Sequence, residues 1–285
     1  MMKAAQFRLA DVVAAFAPVA GVEAIVLGGS RGCNRHAPNA DYDFLVLYDP
    51  AVPLDVPALN EAARRLDDEG RELLLASPHS WTQYADGGGM LTVAGEPVDV
   101  LYRDVRRIEV AIDDALAGRI SIEFQTGMPF GVVNTLYAAE IALARALHDP
   151  YDTVARLQAR MAAYPPALRK ELIGRFLWDA QFSLTLARRG IEQHDLAFVA
   201  GALFRAAESM AMVLFAYNEQ HWLSERHAIA QAAALPMTVE DFDGRVAGLI
   251  AVIAQAPADA VAYGDALLSD VALRVSPVST VSIRP

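Results

Sequence analysis

The stretch that decides the fold reads Ile25-Val-Leu-Gly-Gly-Ser-Arg-Gly-Cys-Asn-Arg-His-Ala-Pro-Asn-Ala-Asp-Tyr-Asp-Phe-Leu-Val46. It opens with aliphatic residues typical of a buried strand. Gly28 and Gly29 interrupt that strand, and Ser30 is placed to cap a short helix after it. Glycine lets the backbone come close to a bound group, and free amides at the start of a helix favour anions such as phosphate. A Gly-Gly-Ser triplet is common, so a phosphate site there needs support from other residues.

Two aspartates near the end of the stretch carry its chemistry. Asp41 and Asp43 lie two residues apart on a second predicted strand, so their side chains are expected to project from one face. Adjacent carboxylates repel each other unless a cation lies between them, and such oxygen ligands suit magnesium held jointly with phosphates. Asp99 lies between Val98 and Val100 on a later predicted strand. If the two strands are neighbours, the three aspartates converge on a two-metal site for phosphoryl transfer.

A plainer interpretation is that Asp41 and Asp43 end a turn and that Asp99 lies at a solvent edge, since aspartate is common in turns. The apolar run from Phe44 to Leu47 argues against it. A charge placed next to such a run is unfavourable when nothing compensates it. The three aspartates taken together therefore favour a metal site.

The sequence on either side predicts two domains. Short aliphatic runs alternate with one helical stretch from Glu23 to Asp104, which predicts a mixed α/β domain over residues 1–110. Its predicted strands span 23–27, 41–48, 91–94 and 98–103, and its predicted helix spans 55–68. After Val105 the strand pattern almost vanishes and helical spacing continues to Leu268, which predicts a helical domain over 111–285. The expected fold class is thus α/β plus all-α, a mixed sheet with helices followed by a helical bundle.

Charge and composition disfavour several classes of protein. The chain has 24 basic and 35 acidic residues, a formal net charge of -11, which is a poor match to a nucleic-acid binder. The single cysteine, Cys33, excludes an intramolecular disulfide. The run from Leu196 to Tyr217 is long enough to span a bilayer, but Arg205 and Glu208 lie at its centre, where charge in lipid is costly. We therefore predict a buried helix in a soluble cytoplasmic protein, with no membrane partner.

The order Gly-Gly-Ser, connecting loop, Asp-x-Asp and a third aspartate on a later strand resembles the minimal nucleotidyltransferase superfamily, which is polymerase-beta-like. Within it the chain is similar to single-chain bacterial members with a helical C-terminal domain, such as the aminoglycoside adenylyltransferases. In such proteins a buried helix often ends in Leu-Asn, and a basic residue comes shortly after. Here Asn218 ends the predicted helix, and Arg226 stands where the family often has lysine.

This resemblance implies an enzyme that moves a nucleoside monophosphate, AMP from ATP as the first choice, onto a hydroxyl of a small-molecule acceptor. It implies that Gly29, Ser30 and Arg226 hold the triphosphate, and that Asp41, Asp43 and Asp99 hold magnesium, with two ions expected. Gly28 and Arg31, which flank the Gly29-Ser30 pair, are further candidates for nucleotide binding. For Arg31 the alternative is a solvated side chain. The chain departs from the family pattern at Ala40, where serine is frequent, and at Arg226, whose planar guanidinium differs from a lysine ammonium.

Three further side chains are candidates for an acceptor cleft: Glu123, Arg205 and Glu208. Arg205 and Glu208 lie three residues apart in an apolar helix, so they either pair with each other as a buried ion pair or border the cleft. Glu123 comes after the domain junction. The base that deprotonates the acceptor hydroxyl is either Asp99 or a carboxylate such as Glu123.

Two other functions compete with this one. A protein-adenylylating enzyme or antitoxin is disfavoured by the helical half, because such antitoxins consist of little more than the catalytic domain. A nucleotide-binding sensor without catalysis is disfavoured because all three candidate metal carboxylates are present.

Overall fold

The computed structural model describes residues 7–34, 39–82 and 84–276. The chain forms two compact units. The first, here called the sheet unit, comprises Met1–Asp113, Gln125–Gly127 and Asn134–Ala163. The second, the helical unit, comprises Asp114–Phe124, Met128–Val133 and Tyr164–Pro285.

The secondary structure alternates between strands and helices as far as residue 160 and is helical after it. In chain order the elements are α1 Leu9–Phe16, β1 Ala24–Leu27, α2 Gly29–Gly32, β2 Tyr42–Tyr48, α3 Val56–Leu66, β3 Gly88–Val93, β4 Glu96–Asp104, α4 Val105–Ala117, β5 Ile122–Gln125, β6 Met128–Val133, α5 Leu136–Leu143, β7 Arg145–His148, α6 Thr153–Arg160, α7 Pro166–Glu192, α8 Leu196–Tyr217, α9 Ala228–Ala233, α10 Phe242–Val252 and α11 Pro257–Val275.

The sheet unit is built on a five-stranded sheet of order β3-β4-β2-β1-β7. Strands β2 and β4 run parallel, and the other neighbouring pairs are antiparallel, so the sheet is mixed. The central strand β2 is buried continuously from Phe44 to Tyr48, as expected of a strand covered on both faces. The predicted fold class, a mixed sheet with helices followed by a helical region, is confirmed.

One face of this sheet packs against helices α1 and α3. The alternating residues Phe44, Val46 and Tyr48 of β2 join Val98, Val100 and Tyr102 of β4 in one apolar core with side chains of both helices. Because successive side chains of a strand point to opposite faces, the residues between them point away from this core. Asp43 and Asp99 are among those residues.

Two features of the fold differ from the prediction that the chain is helical after Val105. Strand β7 pairs with β1, and β5 and β6 form a separate two-stranded sheet. Strand β7 is only four residues long, too short for an alternating pattern to show. Because it extends the main sheet, residues 134–163 belong to the sheet unit, whereas the expected boundary near residue 110 assigns them to the helical domain.

The helical unit is organised around α7 and α8, which are joined by the short turn 193–195 and run antiparallel. Asp179 of α7 bonds Ser209 of α8, while Gly190 lies against Val199 nearer the turn. Among the described residues, α8 is the one helix long and apolar enough to cross a membrane, and 67% of its most apolar window is buried inside the protein. That burial agrees with the core helix predicted from its central charges.

Candidate functional site

The Gly-Gly-Ser turn leads from β1 directly to the start of β2. The Gly28 amide donates a hydrogen bond of 2.8 Å to the carbonyl oxygen of Asp43. Gly29 has a φ of 54°, and a Cβ atom built there would overlap Oδ2 of Asp43. Position 29 thus requires glycine both for its left-handed backbone and for its contact with a carboxylate. Ser30 lies inside α2 and does not cap it as predicted, because the N-cap is the extended Gly28, two residues earlier.

Two carboxylates meet on the face opposite the α1 and α3 core. Strands β2 and β4 pair in parallel with Asp43 directly beside Asp99. Neighbouring strands lie about 4.8 Å apart and register partners in a parallel pair share a face, so these side chains are adjacent. No local pattern in the sequence identifies β4 as the neighbour of β2, yet the predicted site depends on this pairing.

Asp41 is placed differently from the other two. Strand β2 begins at Tyr42, one residue later than predicted, so Asp41 lies outside the strand pairing and is exposed. The alternation that puts Asp43 and Asp99 on one face therefore does not orient Asp41. Within the described ranges, which include all three aspartates, no three His, Cys, Asp or Glu side chains are grouped to hold a metal ion.

The Asp43 and Asp99 pair nevertheless fits a magnesium ion that arrives with a nucleotide. Magnesium is commonly held by one or two carboxylates while water and phosphate oxygens fill its remaining positions. The glycine backbone at position 29 lies against Asp43 with no side chain between them. The two carboxylates thus suit a metal shared with phosphates, whereas the described residues alone do not form a complete cage of protein ligands.

Arg31 holds the backbone that precedes β2. Its Nε donates a hydrogen bond of 2.8 Å to the carbonyl oxygen of Ala40. Its guanidinium carbon lies 3.8 Å from the centre of the Tyr42 ring, and the Phe7 ring packs 4.2 Å from the same ring. These contacts hold Ala40 and Tyr42, the residues directly before and after Asp41. Phosphate binding by Arg31 stays a prediction.

A second polar cluster of the sheet unit was missed from the sequence. Asp86 is completely buried, accepts a hydrogen bond of 2.6 Å from the Tyr48 hydroxyl, and lies 2.7 Å from Nδ1 of His79. Burial, together with the bond to Asp86, raises the pKa of Tyr48. The cluster anchors the long loop between α3 and β3. Its members come from separate segments, so no sequence pattern could have joined them.

Arg103 and Glu140 form a buried ion pair on the same face as Asp43 and Asp99. Arg103 is 4% exposed, and its Nε and one terminal nitrogen bond the two Glu140 oxygens at 2.7 and 2.8 Å. Its guanidinium carbon lies 4.7 Å from the centre of the Tyr137 ring. This two-pronged geometry is the strong form of a charge-assisted pair, and it fastens α5 to the sheet.

In the helical unit, Arg205 does not pair with Glu208, which corrects one of the two alternatives drawn from the sequence. Its Nε lies 3.0 Å from an oxygen of Asp179 on α7, and Ser209 donates a hydrogen bond of 2.8 Å to the same residue. The guanidinium carbon of Arg205 lies 5.5 Å from the centre of the Phe130 ring. Arg205 thus pairs with Asp179 on the facing helix α7 and not with Glu208 on the next turn of its own helix.

Glu208 is left as a buried carboxyl group. It is 3% exposed, and within the described part of the chain its Oε2 has no hydrogen-bond partner. Burial and then the nearby Glu225 carboxylate raise the pKa of Glu208 to about 8. Glu225 itself accepts a hydrogen bond of 2.6 Å from the backbone amide of Phe130. The raised pKa favours the protonated carboxyl group of Glu208 at neutral pH.

The buried Glu208 predicts a specific dependence of stability on pH. Between the ordinary carboxyl pKa of 4.5 and about 8, the native state retains a proton that the unfolded chain has released. The free energy of unfolding therefore falls as pH rises through this window, by up to about 1.4 kcal/mol per pH unit from this one group. We expect Glu208→Gln to make that decline shallower in urea unfolding measured from about pH 5 to pH 8. The exposed Glu192→Gln should leave the decline unchanged, and an equal decline in wild type and Glu208→Gln would contradict the assignment.

The remaining candidates, Glu123 and Arg226, lie in separate segments of the helical unit. Glu123 on β5 accepts a hydrogen bond of 2.7 Å from Ser121. Arg226 is exposed, and its backbone amide donates a hydrogen bond of 3.1 Å to the Ser224 hydroxyl. Asn218 has a structural role, since its side chain bonds both the carbonyl oxygen and the amide of Met237. Roles for Glu123 and Arg226 in substrate binding stay predictions.

Comparison with protein-family models gives no match, and comparison with curated protein sequences gives none either. Among solved structures, this chain is similar to the crystal structure of a nucleotidyltransferase-like protein from Exiguobacterium sibiricum 255-15. The identity is 12%, the TM-score is 0.42, and the alignment covers 93% of this chain and 74% of that chain.

Proposed function

We propose that the protein is a magnesium-dependent nucleotidyltransferase that moves a nucleoside monophosphate, AMP from ATP as the first choice, onto a hydroxyl of a small-molecule acceptor. The observation that carries the proposal is the pairing of Asp43 with Asp99 beside a glycine turn whose backbone lies against Asp43. Two adjacent carboxylates are a donor set that suits a divalent cation, and a backbone without a side chain at position 29 lies directly against one of them.

In the proposed site, different residues would bind the metal and the nucleotide. Asp43 and Asp99 would hold the metal, and Gly28, Gly29 and Ser30 would border the triphosphate. Magnesium, when bound, neutralises charge on the phosphates during displacement. Because Gly29 has no side chain, the Asp43 carboxylate lies directly against its backbone, and the metal would hold the phosphate oxygens beside this carboxylate. Exposed Asp41 is the predicted third ligand.

The acceptor side of the reaction requires a base and contacts that hold the acceptor. The acceptor hydroxyl must lose its proton, and Asp99 or Glu123 is the proposed base. The Arg205 side chain over Phe130 is the proposed acceptor contact in the helical unit, whereas Glu208, at 3% exposure, is too deeply buried to touch an acceptor directly. A small molecule is favoured over nucleic acid because the chain carries a net charge of -11.

Arg226 is proposed to contact the triphosphate, since its side chain is exposed and lies shortly after the Asn218 end of α8. Arg226→Ala should then weaken NTP binding by about 1.5 to 3 kcal/mol, or about ten- to a hundredfold, the worth of one charge-assisted contact. Arg226→Lys should restore part of that loss. Titration calorimetry with a nonhydrolysable NTP and magnesium measures the affinity of each variant. Equal affinity in wild type and Arg226→Ala would remove Arg226 from the nucleotide site.

The function itself is tested by incubating the full chain with magnesium and each of the four NTPs in the presence of a panel of hydroxylated small molecules. The expected result is release of pyrophosphate together with an acceptor that gains the mass of a nucleoside monophosphate. A parallel reaction with cell protein in place of small molecules tests the protein-modifying alternative. Absence of magnesium-dependent NTP binding by calorimetry would contradict the proposal, and binding without transfer to any acceptor would favour a sensor.

A further inference from the structure

Helix α7 presents a continuous exposed stripe to solvent. Spacings of three and four residues keep its members on one side of the helix. They are Glu171, Arg175, Trp178, Phe182, Thr185 and Arg189, of which Thr185 is partly buried and the others are exposed.

Two aromatic rings form the centre of this stripe. Trp178 and Phe182 are 47% and 42% exposed, and their rings stack with centroids 5.1 Å apart at 9°. The guanidinium carbon of Arg175 lies 5.5 Å from the centre of the Trp178 ring. Tryptophan, phenylalanine and arginine are enriched at protein interfaces, and tryptophan and arginine in particular carry much of the binding energy there. The stacked rings therefore form an exposed apolar surface of the kind that a protein partner covers.

The stripe is self-complementary about Ala180. Trp178 and Phe182 lie two residues to either side of it, and Glu171 and Arg189 lie nine residues to either side (180 − 171 = 189 − 180 = 9). An antiparallel second copy of α7, related by a two-fold axis that crosses the stripe at the level of Ala180, whose own side chain is buried on the other side of the helix, would set each Trp178 against the partner's Phe182. The same operation would set each Glu171 opposite the partner's Arg189. In an isologous contact residue i faces residue j at two symmetric places, so opposite charges at mirrored positions attract at both ends.

The end charges are available for such a contact. Glu171 and Arg189 are exposed, and the described residues include no ion pair of either one within the chain. The adjacent Arg188, by contrast, is already paired with Asp265. Among the described residues, Glu171 and Arg189 thus form no ion pair within the chain and can pair with a second copy.

We propose that α7 is the interface of a two-fold symmetric homodimer, centred on Trp178 and Phe182 and oriented by Glu171 and Arg189. A single-helix contact is smaller than a standard stable interface, so the expected dissociation constant is micromolar, about 1 to 100 μM. The dimer does not depend on the proposed function, and Asp43→Asn should dimerise like wild type.

Analytical ultracentrifugation over about 1 to 200 μM protein tests the interface. Wild type should pass from monomer to dimer in this range. Trp178→Ala/Phe182→Ala, which changes only exposed rings, should stay monomeric. Tyr263→Ala, which removes an exposed ring from α11, should dimerise like wild type. A wild type that is monomeric throughout, or a dimer that survives loss of both rings, would overturn the proposal.

A charge swap tests the orientation of the two helices. Glu171→Arg and Arg189→Glu each place like charges at both ends of the contact and should weaken dimerisation by about tenfold. The double variant Glu171→Arg/Arg189→Glu restores opposite charges and should recover the wild-type constant. Lys170→Glu, beside the stripe, is the matched control. Each single variant raises the dissociation constant of the dimer by some factor. If the double variant raises it by the product of those two factors, the antiparallel register is wrong.

Discussion

Asp43→Asn should abolish magnesium-dependent nucleotide binding and transfer. Asparagine keeps the shape of the side chain but removes a charge on which the proposed cation site of Asp43 and Asp99 depends. We expect the affinity for a nonhydrolysable NTP with magnesium to fall by at least about a hundredfold, equal to about 2.8 kcal/mol. Titration calorimetry on the folded variant gives the value, and pyrophosphate release should be lost in parallel.

Asp99→Asn should behave in the same way, because the two residues are register partners on parallel strands. The matched control is Asp152→Asn, an exposed aspartate of the sheet unit in a left-handed conformation that asparagine tolerates. The affinity of Asp41→Asn for the same NTP with magnesium shows how much an aspartate outside the strand pairing contributes to nucleotide binding. Wild-type affinity in both Asp43→Asn and Asp99→Asn would refute the metal site and, with it, the proposed function.

Glu140→Leu should cause a large loss of stability in the sheet unit. It removes the partner of Arg103 and leaves a guanidinium that is 4% exposed without its carboxylate. Breaking a buried pair in this way costs about 3 to 5 kcal/mol, since the remaining charge stays desolvated. Hydrogen exchange of the β4 amides measures the loss within this unit, independently of the helical unit.

Two further variants separate the ion pair from general packing. The double variant Glu140→Leu/Arg103→Met replaces both charges by apolar groups and should recover most of the stability. Arg156→Ala breaks the exposed pair with Glu109 and should cost at most about 1 kcal/mol. A Glu140→Leu variant as stable as Arg156→Ala would mean that another group compensates Arg103.

Local sequence determined the elements that carry the proposed nucleotide site. The aliphatic run before Gly28 and the apolar run after Asp43 placed β1 and β2 to within one residue, because burial of a strand shows directly in its side chains. The hairpin that contains Asp99 was also predicted, with ends that differ by one to three residues. The apolar helix over 196–217 was identified as a core helix from the charges at its centre.

Tertiary structure alone decided which side chains meet. It set Asp99 beside Asp43, left Asp41 outside the strand pairing, and gave Arg205 the partner Asp179 in place of Glu208. It also joined Arg103 to Glu140 across a long stretch of chain. The spacing of apolar residues in one segment shows which of its side chains face the core and which face solvent. An ion pair or a shared strand face involves two segments, and tertiary packing decides which two segments meet. Glu208 illustrates the difference: its place in an apolar helix was plain from the sequence, but its raised pKa results from burial and from the nearby Glu225, which only the folded chain creates.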